Sequence, residues 1–407
     1  MRHLVHLLVL MCCLCLPSRL SAQEAQVADS MVVDSTLQVS LLTCSPGFAS
    51  YELYGHTALR AQSTQYGYDV VFNYGVFDFA QDYFVWRFVL GECDYMCAVS
   101  EYYVFEHEYR MRGSSITEQV LNLLPVEASE LTSALLANCQ PENRVYRYNI
   151  FRNNCTTKAR DMIETHVRGI VRYPARAPRY TFRQILHQFT AGCPWDEVGN
   201  DLLLGVDVDT LLCERDEMFA PIYMMWYADS AMIDRGVWGC DSLVRERRVL
   251  LEADAVQQQE AEAAEPTFFL TPAQLFWGLL CVALMLGCWE VRRRRAVWGV
   301  DAVLMTLQGV AGILIVFMSL FSEHPAVDTN WQAWLLNPLP LFFVYPVARA
   351  DIRGERCVYH AGAAAVLVAF LLLFFVIPQH FSSITMPLAL LLLSRAVVHL
   401  WIYRLSR

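Results

Sequence analysis

The chain is poor in positive charge. Its 407 residues carry 31 Lys and Arg against 41 Asp and Glu, a formal net charge of −10. Binding a nucleic-acid backbone needs the opposite balance, so composition excludes a nucleic-acid partner. The deficit is uneven: from Phe268 onward ten Arg face six Asp or Glu, a surplus of +4, which leaves −14 on residues 1–267. Paired metal-ligand spacing is also missing. Cys93-x-x-x-Cys97 has no second pair at a zinc-site distance, and neighbours such as Glu106-His107-Glu108 point to different sides of a helix. No metal and no cofactor is expected. The first apolar run, up to Leu16, is too short for a comfortable membrane span. Preceded by Met1-Arg2-His3 and followed by Ser18 to Ala22, it reads as a signal peptide over 1–22, with an uncleaved anchor as the alternative.

Apolar residues are what the chain has in excess, at 55%. Five apolar stretches, about 268–289, 297–320, 332–348, 358–377 and 384–403, each approach the ~20 residues a bilayer core requires. The third is short and interrupted by Pro338 and Pro340, which suggests a tilted, kinked or re-entrant segment. Arg292 to Arg295 separate the first two stretches, Arg349, Arg353 and Arg356 separate the third and fourth, and Arg404 and Arg407 close the chain. The loops around 322–330 and 379–383 have neither Lys nor Arg. The positive-inside rule then places the C-terminus in the cytoplasm and the large N-terminal part outside, as expected of a multi-pass inner-membrane protein. Arg395 and His399 share a face of the last stretch; intramembrane charge is a functional candidate by default, but these lie close enough to the cytoplasm to snorkel.

Between the signal and an acidic linker at 251–267 lies an exported domain of about 37–250. Residues 39–43, 57–61, 68–77 and 145–150 have the β-branched and aromatic pattern of strands, and 83–90, 99–110, 127–137 and 156–166 that of helices. From Tyr173 the pattern is helical and less regular. The domain is therefore α+β, followed by an all-α polytopic membrane domain. Eight of the fourteen cysteines fall in the exported part, where oxidation is permitted, but their spacing fixes no pairing.

One of the eight stands apart. Tyr146-Arg-Tyr-Asn-Ile-Phe-Arg-Asn-Asn-Cys155-Thr-Thr-Lys reads as a strand, a polar turn and a helix start. A thiol at a helix N-terminus meets the partial positive charge of unpaired N–H groups, which favours the thiolate. Upstream, His56 follows Gly55 and offers a base. Asn73 is the first choice to orient its ring, with Asp69 and Asp78 in reserve. The Asn154-Cys155-Thr156 turn offers N–H donors for an oxyanion. A buried thiol or half-cystine is the plain alternative for Cys155.

The order His, polar residue on the next strand, then Asn-Cys at a helix start resembles the permuted papain-like thiol enzymes, the superfamily of NlpC-type peptidases and lecithin:retinol acyltransferase. The longer strings Leu-Leu-Thr43-Cys44-Ser45-Pro46-Gly47, Tyr51-Glu-Leu-Tyr54-Gly55-His56-Thr-Ala-Leu-Arg60, Phe72-Asn73-Tyr74-Gly-Val-Phe-Asp78-Phe and Asn154-Cys155-Thr-Thr are similar to the Lnb-type N-terminal periplasmic domain family of Bacteroidota, lipoprotein N-acyltransferases. The resemblance covers about 37–250 and implies a Cys155 thioester with His56 and Asn73. A phospholipid would be the acyl donor and the amine of a diacylglyceryl-cysteine lipoprotein the acceptor. Within those strings, Tyr54, Gly55, Tyr74 and Asp78 are substrate-pocket candidates. The aromatic stripe Phe72, Phe77, Phe79, Tyr83, Phe84, Trp86 and Phe88 would line an apolar pocket or form plain core. Arg179, Arg183 and Lys158 read as solvated charge, with lipid phosphate as the alternative. Competing functions are a periplasmic cysteine hydrolase acting on peptidoglycan peptides or lipids, and a non-catalytic envelope scaffold.

Overall fold

The computed structural model describes residues 34–77, 82–264 and 268–405. The signal-peptide reading, Asp78 and Phe79 lie outside these residues. Ten strands, β1 (Gln38–Cys44), β2 (His56–Ser63), β3 (Tyr68–Val76), β4 (Asp94–Glu101), β5 (Ile116–Leu121), β6 (Val145–Arg147), β7 (Ile170–Arg172), β8 (Met232–Asp234), β9 (Cys240–Ser242) and β10 (Val244–Leu251), make two sheets. The larger runs β10-β5-β1-β2-β3-β4-β6 and is antiparallel throughout; the smaller is β7-β8-β9. Around them lie α1 (Phe84–Leu90), α2 (Tyr102–Met111), α3 (Pro125–Asn138), α4 (Cys155–His166), α5 (Phe182–Thr190), α6 (Pro194–Leu203), α7 (Glu214–Glu217) and α8 (Pro221–Asp229).

Strand alternation divides the core. Leu41, Leu59 and Phe72 face α3, α4 and α8 in one cluster with Leu131, Leu135, Ile163 and Met224. Their neighbours Leu42, Ala58 and Val71 face the other way, onto Phe105 and Tyr109 of α2. Central strands buried on both faces give near-continuous apolar runs, which is why β1 to β3 are readable from the sequence. Six strands are not: β4, β5, β10 and the three-residue β7, β8 and β9, of which β8 to β10 lie in the part that reads as helical. In β5 the fully buried Glu118 and Gln119 break the apolar pattern; Glu118 takes Arg60 and Arg248, and Gln119 donates to the Met225 carbonyl. The edge strand β10 carries Arg245, Arg247 and Arg248, as edges often do. Residues 99–101 belong to β4 rather than to the helix expected over 99–110, which begins only at Tyr102.

A helix, α9 (Ala255–Ala264), occupies much of the acidic linker. Beyond it stand α10 (Pro272–Arg293), α11 (Trp298–Phe321), α12 (Leu339–Arg353), α13 (Val358–Leu373) and α14 (Thr385–Leu405). Helices α10, α11 and α14 are each long and apolar enough to cross a bilayer, whereas the segments carrying α12 and α13 form a pair bent by 120°. The expectation of five spans therefore resolves into three full-length helices and a bent pair. Pro338 is the N-cap of α12 and Pro340 lies in its first turn, where proline is tolerated, and the chain just before it penetrates deeply: a side chain at Gly312, midway along α11, would lie 2.2 Å from the Asn337 carbonyl carbon.

The two halves are joined along the loops that lack Lys and Arg. Glu323 N–H donates to the Leu90 carbonyl (2.7 Å), Gly205 N–H to Ala326 (2.7 Å), Asn330 Nδ2 to Leu202 (2.8 Å) and Gln379 Nε2 to Leu204 (3.1 Å). His380 N–H meets Asp209 at 3.0 Å. Arg183, expected on the surface, is 1% exposed at this seam, held by Asp201, Asp209 and the carbonyls of Leu204 and Gly205.

Snorkelling of Arg395 and His399 is overturned. The Arg395 guanidinium is buried against both Glu290 and Asp301, with four hydrogen bonds of 2.6–2.9 Å. His399 is fully buried between Asp301 (2.9 Å) and Asp351 (3.1 Å). Carboxylates contributed by α10, α11 and α12 replace the water that snorkelling would seek.

Candidate active site

The sheet brings three residues together from far apart in sequence. His56 opens β2, and Asn73 sits on β3 with its backbone in register with Ala58. The imidazole Nε2 lies 3.1 Å from Asn73 Oδ1, which fixes Nε2 as the protonated nitrogen and leaves Nδ1 for the thiol. Cys155 is the first residue of α4 and lines the same cavity as His56, whose charge acts on its thiol. Two local devices seat it there. Asn154 caps the helix, its Oδ1 accepting from Thr156 N–H (3.0 Å) and Thr157 N–H (2.9 Å). The Thr57 and Thr156 hydroxyls, 3.0 Å apart, then tie the helix start to β2.

Glycines make room. Gly55 has φ +72°, and a Cβ there would lie 2.7 Å from the Cys44 carbonyl oxygen, so the sharp approach to His56 requires glycine. Gly75 is required for a different reason: its φ of +89°, in the irregular stretch between Asn73 and Val76, suits glycine, while a Cβ there would meet the Cys155 Cβ at an ordinary contact distance of 3.6 Å.

The electrostatics favour an ion pair. Burial alone would push the Cys155 thiol up, but the His56 charge and hydrogen bond, the Thr57 backbone N–H and the Thr156 hydroxyl together bring it below its usual value. Burial alone would lower His56, yet the Cys155 charge, its hydrogen bond and that of Asn73 together raise it. The contrast is Cys44, in register with His56 across β1 and β2, where burial dominates and pushes the thiol well up. One of two adjacent thiols is thus activated.

His56, Asn73 and Cys155 line a cavity of about 650 Å³, a size typical of small-molecule sites. Phe77, Tyr95 and Tyr148 stack in a row along one wall, with centroids 5.1 and 4.2 Å apart. Glu52, Glu108 and Arg112 lie at the polar side, Arg112 paired with both acids. A second cavity, about 410 Å³, lies inside the membrane half, and no cysteine lines it.

Other expected positions are placed differently. The Asn154 and Thr156 N–H groups are already taken, by Thr157 Oγ1 and Asn154 Oδ1, so neither is free for an oxyanion. Among the described residues the Cys155 N–H is the donor of this turn with no acceptor. Tyr54 and Gly55 line the cavity, and the Tyr54 hydroxyl accepts from Asn200 (2.8 Å). Tyr74 borders the cavity and also packs in the core, where Asn138 donates to its hydroxyl. Asp69 pairs with Arg60 and takes no part in the site. Of the aromatic stripe, Phe77 and Phe88 reach the cavity, while Phe72 is core. Sequence reasoning missed Thr57, Tyr109 and Tyr148. Thr57 and Tyr109 act through the sheet and through α2, whose Tyr109 ring stacks on His56 at 6.4 Å. No local signal marks them.

The sequence model of the Lnb N-terminal periplasmic domain matches residues 24–188, and that of the Lnb transmembrane domain matches residues 263–406. No curated protein and no solved structure gives a significant match. The chain is accordingly a multi-pass membrane protein of the cell envelope with its N-terminal domain in the periplasm.

Proposed function

Because this chain belongs to the Lnb family, we propose that it is a thiol-dependent acyltransferase that moves a fatty acyl chain from a phospholipid to the N-terminal amine of a diacylglyceryl-cysteine lipoprotein. The observation that carries this reading is the Cys155–His56–Asn73 chain at the bottom of an aromatic-walled cavity, in a domain fastened to membrane helices.

In the first half-reaction the Cys155 sulfur attacks the ester carbonyl carbon, and the Cys155 N–H faces the developing oxyanion. The carbon–oxygen bond then breaks as His56 gives its proton to the departing glycerol oxygen, leaving a thioester and a lysophospholipid. In the second half-reaction the amine nitrogen attacks the thioester carbon. The carbon–sulfur bond breaks, His56 takes the amine proton, and the amide leaves the thiolate restored. An α-amine with an ordinary pKa of about 7.7–8.0 is sufficiently neutral for this near neutral pH. The aromatic wall keeps competing water from the thioester, and two membrane-held substrates gain effective concentration from a membrane-held site. The strand-borne imidazole and helix-borne thiol also fit a permuted papain-like ancestry.

The test is mass spectrometry of lipoprotein N-termini from cells lacking the gene and complemented with wild type or Cys155→Ala. Loss of one acyl chain, restored by wild type alone, is expected. An unchanged acyl count in the deletion strain would sink the proposal, and full rescue by Cys155→Ala would leave a scaffold as the better account.

A further inference from the structure

Helix α1 has the composition of a core element and the exposure of a surface one. Its sequence, Phe-Val-Trp-Arg-Phe-Val-Leu, holds one charge, Arg87, which is paired with Asp94; none of its residues is buried. Tyr83, Val85 and Trp86 are 81%, 74% and 56% exposed. An apolar patch of that kind on a water-facing surface would invite association.

Its location supplies the solvent that suits it. The Trp86 ring lies 5.4 Å from Phe317 of the membrane helix α11, and Phe317 is four residues inside the end of that helix at Phe321. At ~1.5 Å of rise per residue, Trp86 therefore sits below the helix end, at bilayer depth. The next turn is clamped to the outer loop: Phe88 packs its ring on His324 (5.1 Å), Leu90 accepts from Glu323 N–H, and a side chain at Gly91 would lie 2.4 Å from the His324 nitrogen. The helix thus cannot lift away from the membrane without breaking the seam. Tryptophan and tyrosine are the residues that favour this interfacial zone. Phe88 is also a wall residue of the Cys155 cavity.

We propose that α1 is an interfacial helix immersed in the outer leaflet, and that the side of the cavity marked by Phe88 and Phe77 is a lateral doorway through which a phospholipid acyl chain passes from the bilayer to Cys155. The occupant is a lipid of the surrounding leaflet, because α1 is continuous with the lipid-facing surface of α11. The doorway role rests on the acyl-transfer reading; the immersion of α1 does not.

The experiment uses the full chain in phosphatidylethanolamine/phosphatidylglycerol nanodiscs, with the photo-crosslinker p-benzoylphenylalanine at position 85 or, as control, at position 237 in the exposed loop before β9. Phospholipid adducts at 85 and none at 237 are expected; no lipid adduct at 85 overturns the immersion. In parallel, Val85→Asp is reconstituted and acylation of Cys155 by vesicle phospholipid is followed by mass spectrometry. A fall on the order of tenfold is expected, since a carboxylate resists burial in lipid. An unchanged rate overturns the doorway. Near-UV circular dichroism reports whether the variant remains folded, and if it does not, Val85→Asn is measured in its place, with the same two outcomes. Absence of any Cys155 acylation in wild type, with lipid adducts at 85, would instead refute the acyl-transfer reading and the doorway while leaving α1 in the membrane.

Discussion

Replacing Asn154 by Ala tests the seating of the thiol most severely. Its side chain is 4% exposed and makes four hydrogen bonds: it accepts from the Thr156 and Thr157 N–H groups and donates to the Ile150 (2.7 Å) and Phe219 (2.8 Å) carbonyls. Loss of the cap costs about 1 kcal/mol. Each stranded buried carbonyl adds about 1 kcal/mol, the low end for an unsatisfied group because a carbonyl keeps a second lone pair. The total is about 3 kcal/mol, or roughly 6–12 °C in the melting of a periplasmic domain of this size. Asn154→Asp keeps the cap acceptors and loses both donations, so its stability loss should come from the two carbonyls. It also sets a negative charge beside Cys155, which should slow alkylation of the thiol at neutral pH. Near-UV circular dichroism of the full chain in detergent follows the melt, and iodoacetamide labelling follows the thiol. A shift below about 2 °C for Asn154→Ala would refute the four-bond account.

Cys155 should alkylate with a pH midpoint below that of an ordinary thiol, since His56 stabilises its thiolate; the ion pair persists up to the raised pKa of His56 and is lost above it. His56→Gln removes the positive partner and leaves burial, so the midpoint should move up, and an unmoved midpoint would dissociate the two residues. Arg395→Met strands Glu290 and Asp301 inside the membrane half and should cost about 3–5 kcal/mol, read as loss of folded protein in detergent extracts. Normal yield would show those carboxylates to be solvated. Cys97 and Cys139, with sulfurs 3.1 Å apart in the periplasmic domain, should be recovered as a disulfide when cells are lysed under alkylating conditions. Recovery of both as alkylated thiols would refute that pairing.

Cys155 and His56 were legible because their chemistry is written locally: Asn154 before a helix start, Gly55 before a strand. Asn73 was legible only as one of three acids or amides, and register chose it, since Asp69 lies four residues along the same face and is captured by Arg60. Within the Asn154-Cys155-Thr156 turn, the loss of the Asn154 and Thr156 N–H groups was not legible, because a capping turn consumes donors in a way that sequence spacing does not display. Topology in the membrane was readable from arginine placement, and the arginine-free loops proved to carry the seam with the periplasmic domain. Arg395 was misread for the opposite reason. Its counter-ions come from two other helices, 94 and 105 residues away in sequence, and no window of one helix reveals them.

Strand β10 orders events in time. It covers the outer edge of β5, and it is the last element of the periplasmic domain before the helix that leads to the membrane. During export from the N-terminus, β1 to β5 can pair while that edge is still bare, and the edge closes only when residues 244–251 emerge. By then the first membrane helix, beginning at Pro272, is close behind in the translocation machinery. The nascent domain thus carries an unpaired sheet edge until it is already tied to the bilayer. Arginines on β10 and the buried Glu118 on β5 then give that late pairing a charge-matched register, Arg248 with Glu118. A chain truncated before residue 244 would be left with an open β5, and its first hazard would be edge-to-edge association with another copy.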